Sequence, residues 1–171
     1  MATPAGPSDH RGADATVRAR HTEPTAAVFR ALESVDGDVS PQLARSVQAQ
    51  INLVKQIGRE FGLLTESKAQ VMLGGGNAPD LPDFWVRYRG ETLYPGFLFE
   101  PSPSREAPMR VRPLLNDLKE IASENGWSGQ SVVFWMTSPT TYFVDQGRPV
   151  DHLHEPAKVV AAFEDAAGSL L

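Results

Sequence analysis

Between Ser40 and Gly62 an apolar residue returns at every third or fourth position: Leu43, Val47, Ile51, Val54, Ile57 or Gly58, and Phe61. A stripe of that period runs down one side of an α-helix and must be covered, so it demands a packed core beside it. Ser40 is a good N-cap. Pro41 follows at the first helical position, where its missing N–H does no harm, and Gly62 supplies the stop. No other segment specifies its conformation so firmly.

The remaining elements are read around that helix. Upstream, a helix is expected from Pro24 through Val28, Phe29 and Leu32, closing at the Asp36-Gly37 turn. Downstream, Thr65 caps a short helix that runs through Ala69 and Met72 to the Gly74-Gly75-Gly76 stop. In FWVRYRGETLYPGFLFE, two runs rich in aromatic and branched residues flank Arg89-Gly90-Glu91, which predicts a β-hairpin. Pro95 in the second run implies an edge strand or a bulge. A helix is expected from Val111 to Asn125, with Leu114, Leu115, Leu118, Ile121 and Ala122 on one face and Gly126 ending it. Ser128 caps a further short helix through Val132, Trp135 and Met136, which Pro139 ends. A turn-rich connector, TTYFVDQGRPVDHLHE, then leads to a final helix from Pro156, with Val159, Val160, Phe163, Ala167 and Leu170 inward.

These elements predict a mainly α protein, a helical bundle with one β-hairpin. The expected organisation is a disordered tail at 1–23, a helical region with the hairpin at 24–100, a linker at 101–110 and a C-terminal helical domain at 111–171. The tail and linker follow from composition, because most of the 14 prolines and 14 glycines fall in the first 25 residues and between Gly74 and Pro113. A net charge of -5 argues against a diffuse nucleic-acid surface, though not against a local basic patch. The absence of cysteine removes disulfides and thiolate metal sites. No apolar run is long enough for a membrane span, and the first residues lack the apolar centre of a signal peptide, so a cytoplasmic protein is expected.

Catalytic patterns are missing. No serine sits in a nucleophile elbow and no carboxylate pair stands out, so no enzyme activity and no cofactor are expected. Gly74-Gly75-Gly76 follows a helix rather than a strand and has no lysine beyond it, unlike a phosphate-binding loop. His152, His154 and Glu155 form an HLHE cluster, but two histidines at i and i+2 point the same way on a strand alone; no metal site is expected. Residues 63–99 follow the order of a winged helix-turn-helix. The segment in the place of its reading helix, NAPDLPDFWVR, carries two prolines, Asp80 and Asp83, and would be repelled by phosphate. The unit therefore reads as degenerate, with Arg87 and Arg89 on the hairpin as its possible DNA contacts.

The segment VFWMTSPTTYFVDQGRPVDHLHEPAKVVAAFEDA resembles the toxin-binding domain of the Xre/MbcA/ParS antitoxin family. The resemblance rests on Trp135 in a short helix, Pro139 after it, Phe143, the Gly147-Arg148-Pro149 turn, Asp151, Leu153, and Val159 and Val160 of the closing helix. LYPGFLFE is similar to an LYPxFQF element of family members with a divergent helix-turn-helix, with Leu98 in place of Gln. The resemblance implies an antitoxin that covers the active-site entrance of a RES-domain toxin, an enzyme that consumes NAD or transfers ADP-ribose. It also implies a homo-oligomer or a hetero-oligomer with the toxin, and binding to operator DNA. The acidic, broken reading helix departs from that last implication, which leaves a DNA-binding autorepressor as the alternative. Trp135, Pro139, Arg148, Pro149 and Asp151 are expected to shape the unit. Lys158, Glu164, Asp165, Leu170 and Leu171 are expected to contact the toxin.

Overall fold

A computed structural model describes residues 40–75, 81–104 and 106–169. The tail at 1–23, the helix expected over 24–32, and Leu170 and Leu171 lie outside the described residues. Helix α1 (Pro41–Phe61) is followed directly by strand β1 (Leu63–Thr65) and helix α2 (Glu66–Met72). The hairpin strands β2 (Val86–Tyr88) and β3 (Glu91–Pro95) come next, then a 3-10 turn (Gly96–Leu98) and strands β4 (Phe99–Glu100) and β5 (Arg110–Val111). Helices α3 (Leu114–Glu124), α4 (Gly129–Thr137) and α5 (Pro156–Gly168) complete the order.

The architecture is mixed α/β, which corrects the expectation of a helical bundle. An antiparallel sheet in the order β1-β3-β2 and a second, two-stranded sheet of β4 and β5 lie among the helices. Two of these strands, β1 and β5, escape the sequence reading, and β4, expected as the end of the second hairpin run, is instead a strand of its own sheet. Leu63-Leu64-Thr65 pairs with Pro95, Tyr94 and Leu93. Phe99 and Glu100 pair with Val111 and Arg110. Strands of two or three residues have no alternation to detect, and their partners lie far off in sequence. Pro95 is also not on an edge: β3 is the central strand, and the proline is tolerated at its last position, just before the 3-10 turn.

The segment in the place of the reading helix is irregular over its described part, as its prolines lead one to expect. Residues 81–85 are non-helical, and they lead straight into β2. Pro82, and the missing turn-to-turn bonds it imposes, leave no regular helix there.

The other helices form where their caps and stripes place them. Thr65 and Ser128 accept from Lys68 N and Ser131 N, each three residues on, at 3.4 and 3.1 Å. Along α1 burial rises toward the C-terminal end: Val47 and Ile51 are half-buried, Val54 and Ile57 fully so. α3 starts at Leu114 rather than Val111, because Val111 is taken by β5.

Pro41–Leu171 form one compact unit. Within it Val54, Ile57, Val86, Leu98, Leu118, Val133, Met136, Val159 and Phe163 pack into one core that spans sheet and helices. The seam between them is close. Gln130, buried at the start of α4, accepts the Arg87 backbone N–H at 3.1 Å and so satisfies a donor of edge strand β2. Its neighbour Gly129 lies so near the Asp83 carbonyl that a Cβ would stand 1.9 Å from that oxygen. Among the described residues no helix is long and apolar enough to cross a membrane.

The seam gives a direct test. Gly129→Ala forces backbone apart and is expected to destabilise by about 3 kcal/mol, read as a lower urea midpoint. Gly168→Ala meets nothing within 4 Å and has no unusual φ, so it is expected to stay within about 0.5 kcal/mol of the parent. Equal midpoints for the two variants would rule out the close approach of α4 to residues 83–84.

Candidate partner-binding surface

The connector from 138 to 155 contains two 3-10 turns, Val144–Gln146 and Pro149–His152. Its backbone closes on itself: Thr140 N donates to Gly147 O at 3.2 Å, and Gly147 N to Val144 O at 3.2 Å. Phe143 turns inward, with its ring stacked on His152 at 4.2 Å and 11°. The loop can close this tightly because residue 147 is glycine. A Cβ there would stand 2.9 Å from His152 Nε2 and 3.3 Å from Phe143 Cβ. The residues on either side of Phe143 point out instead, Tyr142 at 42% and Val144 at 85% exposure.

Arg148 pins this loop to the rest of the molecule. Its Nε and Nη2 donate to Asp151 Oδ2 and Oδ1 at 2.9 and 2.7 Å. Its Nη1 and Nη2 donate to Glu60 Oε2 and Oε1, near the end of α1, at 2.8 and 2.5 Å. The guanidinium also lies 5.8 Å from the Phe61 ring centroid. These bonds hold the Glu60 and Asp151 carboxyls below the usual carboxylate range, chiefly through the Arg148 hydrogen bonds, and raise the Arg148 pKa, chiefly through Glu60.

The other residues singled out in the sequence divide between core and surface. Trp135 is half-buried, tilted against Phe163 at 4.8 Å, with Trp127 edge-on to the same ring at 5.2 Å. Pro149 is buried and Pro139 exposed. On α5, Val159, Ala162, Phe163 and Ala167 face inward, while Lys158, Glu164 and Asp165 face solvent. The Tyr142 phenol lies close enough to Asp165 on α5 for that carboxylate to raise its pKa. Glu164, Asp165, Ala161, Gly168 and Ser169 line a shallow, open depression beside it. Tyr142, Val144 and these acidic groups mark out one candidate surface.

Arg87 lies on β2 and Arg89 at the hairpin tip, both exposed, with their guanidiniums over Trp85 and Tyr88 at 5.9 and 5.4 Å. Both belong to the hairpin rather than to the connector or α5, and no helix at 81–85 accompanies them. His152 and His154, expected to diverge, converge on Glu155, with ligand-type atoms all within 4.8 Å of one another. The chain does this without a strand, by breaking between a 3-10 turn and α5.

Sequence reasoning missed Glu60, Tyr142 and Val144. Glu60 gave no signal, since it lies 88 positions from Arg148. Tyr142 and Val144 alternate with buried Phe143, a pattern that three residues are too few to display. Comparison with known protein families, with curated proteins and with solved structures finds no match to this chain.

The Arg148 clamp predicts acid sensitivity. Carboxylates with a lowered folded pKa stabilise the fold above the ordinary value, about 4, and that contribution is lost as pH falls through the folded values. The melting temperature of the parent is therefore expected to fall more steeply below pH 4 than that of Arg148→Met, which starts lower at neutral pH. Parallel pH profiles would show that the clamp contributes no stability.

Proposed function

We propose that this chain acts by binding another protein, as an antitoxin whose C-terminal surface covers the active-site entrance of a RES-domain toxin. The partner class comes from the resemblance of residues 133–166 to the toxin-binding domain of the Xre/MbcA/ParS antitoxins. The observation that carries the binding reading is the outward pair Tyr142 and Val144, held on a closed loop beside exposed Glu164 and Asp165.

An aliphatic side chain 85% exposed at a fixed position leaves apolar area to bury in an interface. Covering it contributes on the order of 1–2 kcal/mol. An adjacent tyrosine supplies a large contact area with few rotamers to freeze. A loop already ordered by Arg148 loses little more freedom on association, so more of that contact energy survives as affinity. The acidic groups add electrostatic complementarity toward a cleft that handles a nucleotide and carries basic residues. Inhibition on this reading is steric, and the chain turns over nothing itself.

The test is co-expression with a RES-domain toxin, together with affinity measured on the purified pair. Val144→Asp combined with Tyr142→Ser leaves the core untouched and is expected to weaken binding at least tenfold, about 1.4 kcal/mol, and to abolish rescue of growth. A folded double variant that binds and rescues like the parent would remove this surface from the interface. Failure of the parent chain to bind any RES-domain toxin would remove the antitoxin reading.

A further inference from the structure

The HLHE joint at the start of α5 has a geometry that the partner-binding reading leaves unexplained. The His152 ring is fixed on one side by stacking on Phe143 at 4.2 Å. Its Nε2 faces Gly147. Its Nδ1 is thereby directed at Glu155 Oε1, at 3.7 Å, and is buried with no hydrogen-bond partner. His154 Nε2 approaches the same Glu155 oxygen at 3.5 Å. Both separations are too long for good hydrogen bonds. They are near the spacing of ligands on one metal ion: with bonds of about 2.0–2.1 Å and tetrahedral angles, neighbouring ligand atoms stand roughly 3.4 Å apart. All three ligand-type atoms lie within 4.8 Å of one another, so the largely exposed His154 ring must turn inward to close the set around an ion.

Two further features shape the site. Lys158 grips the other carboxylate oxygen, Oε2, which leaves Oε1 to face the imidazoles. The backbone at Glu155, φ -121 and ψ 63, is neither helix nor strand. Pro156 disfavours a helical conformation at the residue before it, and this break folds His154 and Glu155 back toward His152.

We propose that His152 Nδ1, His154 Nε2 and Glu155 Oε1 form a three-ligand site for a borderline divalent cation, Zn2+ above all. Two imidazole nitrogens and one carboxylate oxygen match zinc; calcium and magnesium take oxygen ligands in greater number. His154 is 69% exposed on its side chain, so the fourth position opens outward, to a water or to a donor from a bound partner. An ion there fastens the connector to the first turn of α5. The site stands on its own geometry and does not depend on the identity of any partner.

The full chain, stripped with chelator, is titrated with Zn2+ by calorimetry and its melting temperature followed with and without the ion. A single bound equivalent is expected, with a rise in melting temperature by mass action. His154→Ala and Glu155→Gln, both at partly or largely exposed side chains, are expected to keep the fold, lose at least about tenfold in affinity and lose the thermal rise. Mg2+ is expected to give neither effect. A variant with His10 and His21 both changed to Gln controls for the other two histidines of the chain and is expected to bind as the parent does. Absence of uptake by the folded parent, uptake unchanged in both joint variants, or uptake lost with His10 and His21 would each overturn the site.

Discussion

Arg148 ties the connector both to itself and to a distant helix, and the geometry of the C-terminal surface follows from it. Four hydrogen bonds run from one guanidinium to two carboxylates, one of them three residues away and the other 88. The planar fork makes this possible, because a lysine could not engage both carboxylates in paired fashion. The energy of the clamp is another matter. Its carboxylates are 37% and 46% exposed on their side chains, so the pH-dependent stability it contributes is real but modest. The clamp acts mainly by fixing direction. The stability of the region comes from what lies beneath it, Phe143, Pro149, Val150 and Phe163, all removed from water.

That division of labour explains why the sequence disclosed the helices and concealed the site. A capped amphipathic helix carries its own instructions, so α1, α4 and α5 could be read from Ser40, Ser128 and Pro156 and from the spacing of their apolar residues. Strands β1, β4 and β5 carry almost none. Leu63-Leu64-Thr65 is a strand because β3 lies next to it with Leu93 to Pro95, a fact of tertiary contact that no local window contains. The error in fold class came from this source: a sheet assembled from fragments two to five residues long leaves little periodic trace.

The site was concealed in a similar way. Arg148 and Asp151 are close in sequence and could be noticed together; Glu60 could not. His152 and His154, at i and i+2, share a face of regular structure on a strand alone. That rule fails where a 3-10 turn, an irregular Glu155 and Pro156 follow each other within five residues, since the backbone there has no single period.

The connector also shows why irregular structure can be rigid. Ordering a residue's backbone costs on the order of 1–2 kcal/mol, and this segment recovers few regular backbone hydrogen bonds in return. What offsets the loss is a set of tertiary contacts placed along it: Phe143 on His152, Tyr142 on Asp165, Arg148 on Glu60, and Pro149 and Val150 in the core. Each anchor lies within a few residues of the next, so no long stretch is left to fluctuate as a free loop. Val144 stands among these anchors without a core contact of comparable depth, at 85% exposure. Such a position adds nothing to folding that a polar residue would not match. Its apolar side chain gains free energy through association, when another surface covers it.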